Sequence, residues 1–136
     1  DVPDQVLLDA FVKMFAALDG GGREPFDPSG LKKAVGAIAE HFSGHEQHDA
    51  QEFVVFLLAA LHEQMNRATE VLVGPVDPSL LPNTHRETLA AVNWARFERT
   101  NTSVFSRLFN GQLESELCCG TCHHSSRRYD AFLTLP

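Results

Sequence analysis

The sequence predicts an α+β protein with helices first and a β-hairpin after them, and three observations support this class. Apolar residues recur at helical spacing over residues 3–19. Over residues 53–65, apolar side chains cover most of a helix circumference. Residues 111–118 and 125–135 instead alternate in polarity and contain β-forming side chains, which predicts a long hairpin. We therefore predict a helical part over residues 1–110 and the start of a β extension over residues 111–136.

The helical part is predicted to contain three helices before a loop. The first ends at the glycine-rich turn DGGG. The second carries four apolar residues on one face, namely Leu31, Val35, Ile38 and Phe42. The third is predicted to be a buried central helix, because it is apolar nearly all round. Asp49 and, three residues later, Glu52 predict a capping box at its start. Residues 68–83 carry three prolines and predict a surface loop.

The composition limits the possible classes of function. The 136 residues carry a formal net charge of −7, which argues against a nucleic-acid-binding surface and favours a basic partner. No apolar run approaches the ~20 residues that span a bilayer, so we expect no membrane association. The first residues, DVPDQVLLDAF, have no basic segment and no initiator Met, which predicts an internal start rather than a signal peptide. The three cysteines are crowded within five residues, which indicates a reducing compartment, cytoplasm or nucleus.

The segment ELCCGTCHHSS contains a Cys-x-x-Cys-His pattern with three interpretations. A c-type haem site would use both thiols and His123 as axial ligand, but the two methionines of the chain lie on apolar helix faces and offer no second ligand. A thioredoxin-like redox motif would begin a helix in a βαβ unit, whereas this one joins two strands. Zinc fits better, because Cys119 and Cys122 at a hairpin tip form half of a tetrahedral thiolate site. The sequence has no second Cys-x-x-Cys, so we predict a half-site only.

The segment EQHDAQEF supports either a structural or a binding interpretation. Asp49 could do nothing more than cap the helix, which is the commoner role for such a residue. Flanked by Gln47 and His48, it could also present its carboxylate to the backbone N–H groups or basic side chains of a bound peptide. We assign no catalytic role to the histidines of this region, because no cysteine lies near them in the sequence.

Two long segments together resemble one family. FSGHEQHDAQEFVVFLLAALHEQMN is similar to the F-G-x-x-Q-Q-D-A-x-E-F box of ubiquitin-specific proteases, the papain-like deubiquitinases. NWARFERTNTSVFSRLFNGQLESELCCGTCHHSSRRYDAFLTLP resembles the later part of the same domain. The matching residues in this later part are Trp94, Ser103, Phe109, Gly111, Gln112, Cys119, Cys122, Ser126, Phe132, Leu135 and Pro136. Their order and spacing make a chance match improbable.

The resemblance implies a hand-like cysteine protease fold, in which a helical thumb portion leads into the first β-hairpin of the fingers. It implies an enzyme that hydrolyses the isopeptide bond after the carboxyl-terminal Gly of ubiquitin, through a thioester. Asp49 matches the family's Asp that helps to hold the ubiquitin tail, and His48 replaces a more usual Gln. Cys119 and Cys122 match the first half of a structural zinc ribbon. The implied partners are ubiquitin or a ubiquitinated protein, and the remaining segments of the catalytic domain.

The departures from the family pattern concern catalysis. The family's nucleophile lies in a Gly-Asn-x-Cys box, and nothing in this sequence resembles it. The catalytic His and its partner follow far downstream in the family. We therefore assign no catalytic residue, interpret the chain as a central fragment of the catalytic domain, and expect it to be inactive alone. The alternatives are a non-catalytic ubiquitin-binding or scaffold module and, more remotely, a haem protein.

Overall fold

The computed structural model describes residues 5–20, 25–68 and 85–135. Its elements run in the order α1 (Val6–Asp19), α2 (Ser29–Ile38), a 3-10 helix (Glu40–Phe42), α3 (Ala50–Met65), α4 (Arg86–Thr100), α5 (Val104–Phe109), β1 (Gly111–Cys118) and β2 (Ser125–Phe132). Helices thus precede a two-stranded antiparallel sheet, which confirms the α+β class. The first two residues of the predicted first helix, and all of the predicted loop over residues 68–83 except Ala68, lie outside the described ranges.

The described residues divide into two compact units, one up to Gln64 and one from Met65 onward. The separation into residues 1–110 and 111–136 stays a prediction, although β1 does begin at Gly111. Within the ranges that the structure describes, no helix is long and apolar enough to cross a membrane.

The core of the first unit contains Leu7, Val35 and Leu61, which are at most 1% exposed. Ile38 was predicted to lie on one face with Leu31, Val35 and Phe42, but it is 43% exposed whereas the other three are buried. The helix ends at Ile38, and Ala39 adopts an extended conformation with φ −128° and ψ 96°. Phe42 therefore reaches the core through the 3-10 helix and not through a continued α-helix.

The prediction that α3 is a buried central helix is also wrong for the described structure. Leu61 is the one residue of α3 that is buried, and Val54 is 48% exposed. Phe53 and Phe56 pack on Phe42, with ring centroids 5.4 and 5.5 Å apart. An apolar circumference is buried on all sides only where neighbours surround it, and the described elements of its unit cover part of α3.

In the second unit, side-chain hydrogen bonds hold the segments that precede the hairpin. Asn66 donates to the Thr100 carbonyl (3.0 Å) and accepts from the Thr102 N–H (2.8 Å). Ser103 and Ser106 form a reciprocal capping box at the start of α5. The chain then enters β1, which pairs with β2 in a register from Gly111 opposite Phe132 to Cys118 opposite Ser125. The predicted hairpin is confirmed.

One face of the hairpin base carries a ladder of charged groups. Register places Glu114 opposite Tyr129 and Glu116 opposite Arg127, so alternation puts these four side chains on one face. Glu114 accepts from the Nε of Arg86 at 2.6 Å and lies 3.4 Å from the Nε of Arg127. The hydrogen bond and charge of Glu114 raise the pKa of Arg86. Burial, and then the Glu114 charge, raise the pKa of Tyr129.

Candidate functional site

Asp49 lies at the start of α3, in the exposed stretch that follows the 3-10 helix. Its Oδ1 accepts hydrogen bonds from the backbone N–H of Gln51 (2.6 Å) and of Glu52 (3.2 Å). This confirms the cap at Asp49, since these N–H groups belong to the first turn and have no partner inside the helix. The reciprocal half of the predicted capping box is not seen in the described residues, because the Glu52 carboxylate lies toward His41 instead. Within the described part of the chain, the second oxygen, Oδ2, has no hydrogen-bond partner and remains available to a ligand.

His48 and Gln47 precede this cap, but the structure uses them differently. The His48 ring stands edge-on to Phe42, with centroids 5.1 Å apart and planes at 72°, and lies 6.0 Å from the His41 ring. Gln47 is exposed. The carboxylate of Glu52 lies 4.0 Å from the Nε2 of His41. His48 is therefore held by aromatic contacts beside Asp49.

His48 and Asp49 also line a pocket of about 550 Å³, which we call the α2 pocket. Its walls come from α2, from the 3-10 helix, from the loop Ser43–Asp49 and from the start of α3. Leu31 and Val35 contribute apolar side chains from α2, and Phe42 and Phe53 contribute aromatic ones. Gln47 is not among the residues that line this pocket. The structure thus brings together two of the three predicted substrate-binding residues and adds an apolar cavity beside them.

The loop Ser43–Asp49, which we call the site loop, approaches α2 closely at Gly36. A Cβ on Gly36 would lie 2.9 Å from the Cα of Ser43 and 3.0 Å from its Cβ, closer than real Cβ atoms pack. Only glycine fits here without a shift of the loop. Ser43 is further tied to the 3-10 helix, since its hydroxyl donates to the Glu40 carbonyl at 2.6 Å.

The two predicted metal ligands lie at the turn of the hairpin, and both are exposed free thiols. The turn is closed by two backbone hydrogen bonds of 2.9 Å, from the Cys119 N–H to the His124 carbonyl and from the His123 N–H to the Cys119 carbonyl. His123 adopts a left-handed conformation with φ 56°, which reverses the chain tightly. The backbone of Cys122, then that of Thr121 and then the Cys122 side chain hydrogen-bond the Cys119 sulfur and lower the pKa of its thiol.

This donor set fits half of a zinc site. Zinc is bound by thiolates, and a lowered pKa favours the thiolate form. In the described ranges, no group of three or more His, Cys, Asp or Glu side chains is placed to hold a metal ion. Cys118 ends β1 opposite Ser125, so it is not part of the turn. Cys119 and Cys122 would supply two ligands, and a complete tetrahedral site would need two more from elsewhere.

Some structural features of this chain were not predicted from the sequence. The Ser103–Ser106 box carries Ser where a capping box usually has Glu or Gln at the third helical position, so its pattern was weak. The ion pair of Arg86 with Glu114 joins residues 28 positions apart, and no local pattern signals such a pair. The same holds for the α2 pocket, whose walls are joined only by the fold.

A family model and individual relatives both place this chain in the same family. The family model described as ubiquitin carboxyl-terminal hydrolase matches residues 2–135. Ubiquitin carboxyl-terminal hydrolase 19 of Rattus norvegicus is 40% identical over 131 residues, which cover 96% of this chain and 9% of that protein. Ubiquitin carboxyl-terminal hydrolase 2 of Gallus gallus is 35% identical over 134 residues, covering 96% of this chain and 37% of that protein.

A third relative, ubiquitin carboxyl-terminal hydrolase 32 of Homo sapiens, is 38% identical over 119 residues, 85% of this chain and 7% of that protein. The chain therefore spans well under half the length of each of these curated relatives. The family model nevertheless covers nearly every residue, from the start of the helical part to the end of the hairpin. This chain belongs to the ubiquitin carboxyl-terminal hydrolase family.

Proposed function

We propose that this chain is part of a cysteine-type deubiquitinase, which hydrolyses the isopeptide bond after the carboxyl-terminal Gly of ubiquitin. Family membership supports the reaction class, since the family and the relatives to which the chain is similar are named ubiquitin carboxyl-terminal hydrolases. The observation that carries a role for this particular chain is the open oxygen of Asp49. The chain would contribute substrate-tail binding and half of a zinc site to the complete domain.

The binding role follows from the different tasks of the two carboxylate oxygens of Asp49. Oδ1 holds the start of α3, which fixes the carboxylate in place before a ligand arrives. Oδ2 can then accept a hydrogen bond from a peptide N–H or from a basic side chain, and bonds to a charged acceptor are the stronger kind. His48 lies beside it, Gln47 is exposed, and the net charge of −7 favours a basic tail.

The zinc role is structural. A zinc ion bound by Cys119, Cys122 and two ligands from outside the described residues would supply a cross-link at the end of the hairpin, in place of a hydrophobic core. The residues of this chain would present two sulfurs from one tight turn. The lowered pKa of the Cys119 thiol is consistent with this task.

We expect this chain to be inactive by itself. Acyl transfer needs a thiolate, a base and an orienting group in contact. All three cysteines lie in the exposed end of the hairpin, and none follows the pattern of the family's nucleophile box. The same arrangement would suit a non-catalytic ubiquitin-binding module, and the presence or absence of a Gly-Asn-x-Cys box in the parent protein separates the two. Location in the cytoplasm or nucleus stays a prediction.

A titration of ¹⁵N-labelled ubiquitin with this chain tests the role of Asp49. We expect chemical-shift changes concentrated in the carboxyl-terminal tail of ubiquitin. Asp49→Ser keeps a helix cap but removes the carboxylate, so it should weaken binding by about tenfold, as expected for a hydrogen bond to a charged group. Asp27→Ser is the control, because Asp27 also accepts a hydrogen bond from the backbone N–H two residues on, that of Ser29, and lies outside the lining of the α2 pocket. Unchanged binding by Asp49→Ser would reject the proposed tail contact.

Cobalt substitution tests the zinc half-site. Co²⁺ added to the reduced chain should give thiolate-to-metal absorption that Cys119→Ser and Cys122→Ser remove. Cys118→Ser should keep the absorption, because Cys118 lies outside the turn. An absorption that depends on Cys118 as strongly as on Cys119 would contradict the assignment.

A further inference from the structure

The tip of the hairpin holds two thiols that interact with each other. The Cys122 side chain hydrogen-bonds the Cys119 sulfur, and both thiols are free and exposed. A Cβ on Gly120, which lies between them in the sequence, would have no heavy atom within 4 Å, so the outer side of the turn is open to small reagents. The proposed zinc role uses the two sulfurs as ligands and does not address their chemistry toward each other.

The backbone of this turn already has the span of a disulfide. The His123 N–H donates to the Cys119 carbonyl at 2.9 Å, which closes a tight chain reversal. Such a reversal brings Cα atoms three positions apart to within about 7 Å, and a disulfide bridges Cα atoms about 4.4–6.8 Å apart. The left-handed residue His123 lies outside the segment 119–122. The hairpin register therefore need not change when the two sulfurs join.

The third thiol, that of Cys118, is placed differently. Cys118 is the last residue of β1 and pairs with Ser125, and its sulfur lies 4.0 Å from the Cys119 carbonyl oxygen. Adjacent Cα atoms are about 3.8 Å apart, which is less than the ~4.4 Å that an unstrained disulfide needs. A Cys118–Cys119 bond would therefore be strained. Cys118 is also exposed, so it serves as an internal reference thiol.

We propose that Cys119 and Cys122 form a thiol–disulfide switch, which closes by exchange with a small disulfide such as glutathione disulfide. The Cys119 thiolate attacks one sulfur of the small disulfide, and one glutathione thiolate leaves. The Cys122 thiolate then attacks the Cys119 sulfur of the mixed disulfide, and the second glutathione thiolate leaves. Two electrons pass from the cysteine pair to the small disulfide, and the two protons that the cysteines lose end on the two released glutathione thiols.

The internal bond is favoured over the mixed disulfide because the turn holds the second thiol at a high effective concentration. Thioredoxin-like catalysis is a different matter, since this turn joins two strands. The switch goes beyond the proposed function, and only its effect on a metal rests on the zinc role. Zinc is bound by thiolates, so closure of the disulfide removes both ligands that this chain would supply.

The test counts the alkylatable thiols of the whole chain after equilibration in a glutathione buffer at about pH 8, where thiolates are populated. About a tenfold excess of glutathione over its disulfide keeps isolated exposed thiols largely reduced. We expect more than about half of the molecules to lose two thiols, with no bound glutathione and no dimer. Mass spectrometry after alkylation distinguishes these species. Dithiothreitol should restore all three thiols.

Serine variants identify the pair. Cys118→Ser removes the reference thiol, and its two remaining thiols should close as fully as those of the parent. Cys119→Ser and Cys122→Ser also keep two thiols each, but they should form at least about fivefold less internal disulfide than the parent. The thiolate-to-cobalt absorption expected for the reduced chain should disappear on oxidation and return after reduction.

Three results would overturn the proposal. The first is a chain whose three thiols all stay alkylatable in the glutathione buffer, and the second is a chain that forms disulfide-linked dimers in place of the internal bond. The third is as much internal disulfide in Cys119→Ser or Cys122→Ser as in the parent, which would assign the bond to Cys118.

Failure of the switch is distinguishable from failure of the proposed zinc role. Cobalt absorption by the reduced chain reports the half-site without any oxidation, and alkylation reports the disulfide without any metal. An internal disulfide in a chain that gives no cobalt absorption would support the switch and reject the zinc half-site. Cobalt absorption in a chain that never closes the disulfide would do the opposite.

Discussion

Replacing Asp49 with alanine removes the acceptor that holds the first turn of α3. Two backbone N–H groups, those of Gln51 at 2.6 Å and Glu52 at 3.2 Å, then lose their partner. Loss of such a cap costs about 0.5–2 kcal/mol. Because Asp49 is exposed, water replaces part of the lost bonding, and we expect about 1 kcal/mol. For a chain of this length that lowers the melting temperature by about 3–5 °C.

Thermal and urea unfolding followed by circular dichroism measure this effect, and Asp49→Ser is the matched variant. Serine caps helices nearly as well as aspartate, so we expect it to lie within about 0.5 kcal/mol of the parent. The reasoning fails if Asp49→Ala is as stable as the parent, or if Asp49→Ser loses as much stability as Asp49→Ala. Combined with the ubiquitin titration, the serine variant separates the cap from the ligand role, because it keeps the first and loses the second.

Three further changes test the packing of the two units. Leu61→Ala, at a fully buried position, should cost about 3 kcal/mol in urea unfolding, whereas Val54→Ala, half exposed, should cost under about 1 kcal/mol; equal losses would contradict the observed burial of α3. Gly36→Ala should destabilise by about 1–2 kcal/mol because its Cβ would meet the site loop, while Gly30→Ala, in open space in the same helix, should stabilise by about 0.5 kcal/mol; the opposite order would rule out the close approach. Burial raises the pKa of Tyr129, so the stability contributed by its neutral form is present below about pH 10 and is lost as the pH rises through the raised pKa. Urea unfolding measured from pH 8 to 11 should therefore show a smaller loss of stability at high pH in Tyr129→Phe than in the parent. An identical pH dependence of the two would refute Tyr129 as the source of the loss.

Short-range features of the site followed from the sequence. The cap at Asp49 involves residues two and three positions away, and such spacing is visible in any single sequence. The hairpin and its Cys-x-x-Cys turn follow from alternation over residues 111–118 and 125–132, interrupted by a Gly-Thr pair. The family resemblance rests on the same local spacing, and the family match over residues 2–135 confirms it.

The burial of side chains was predicted less well from the sequence, since it depends on what lies next to a helix and not on the helix itself. The apolar circumference of α3 indicated a central helix, yet Val54 is 48% exposed because the described neighbours cover only part of that helix. Ile38 fits the periodicity of α2, but the helix ends there and Ala39 turns the chain toward Phe42. The sequence pattern shows neither the incomplete covering of α3 nor the end of α2 at Ile38.

By itself, the sequence determined the α+β class, the family, the cap at Asp49 and the placement of Cys119 and Cys122 in one turn. The tertiary structure alone decided which carboxylate oxygen stays open, that Gly36 lets the site loop approach α2, and that an apolar pocket lies beside Asp49. The physical reason is distance along the chain. A helix cap and strand alternation involve neighbouring residues and leave a pattern, whereas a pocket forms from side chains that only the folded chain brings together.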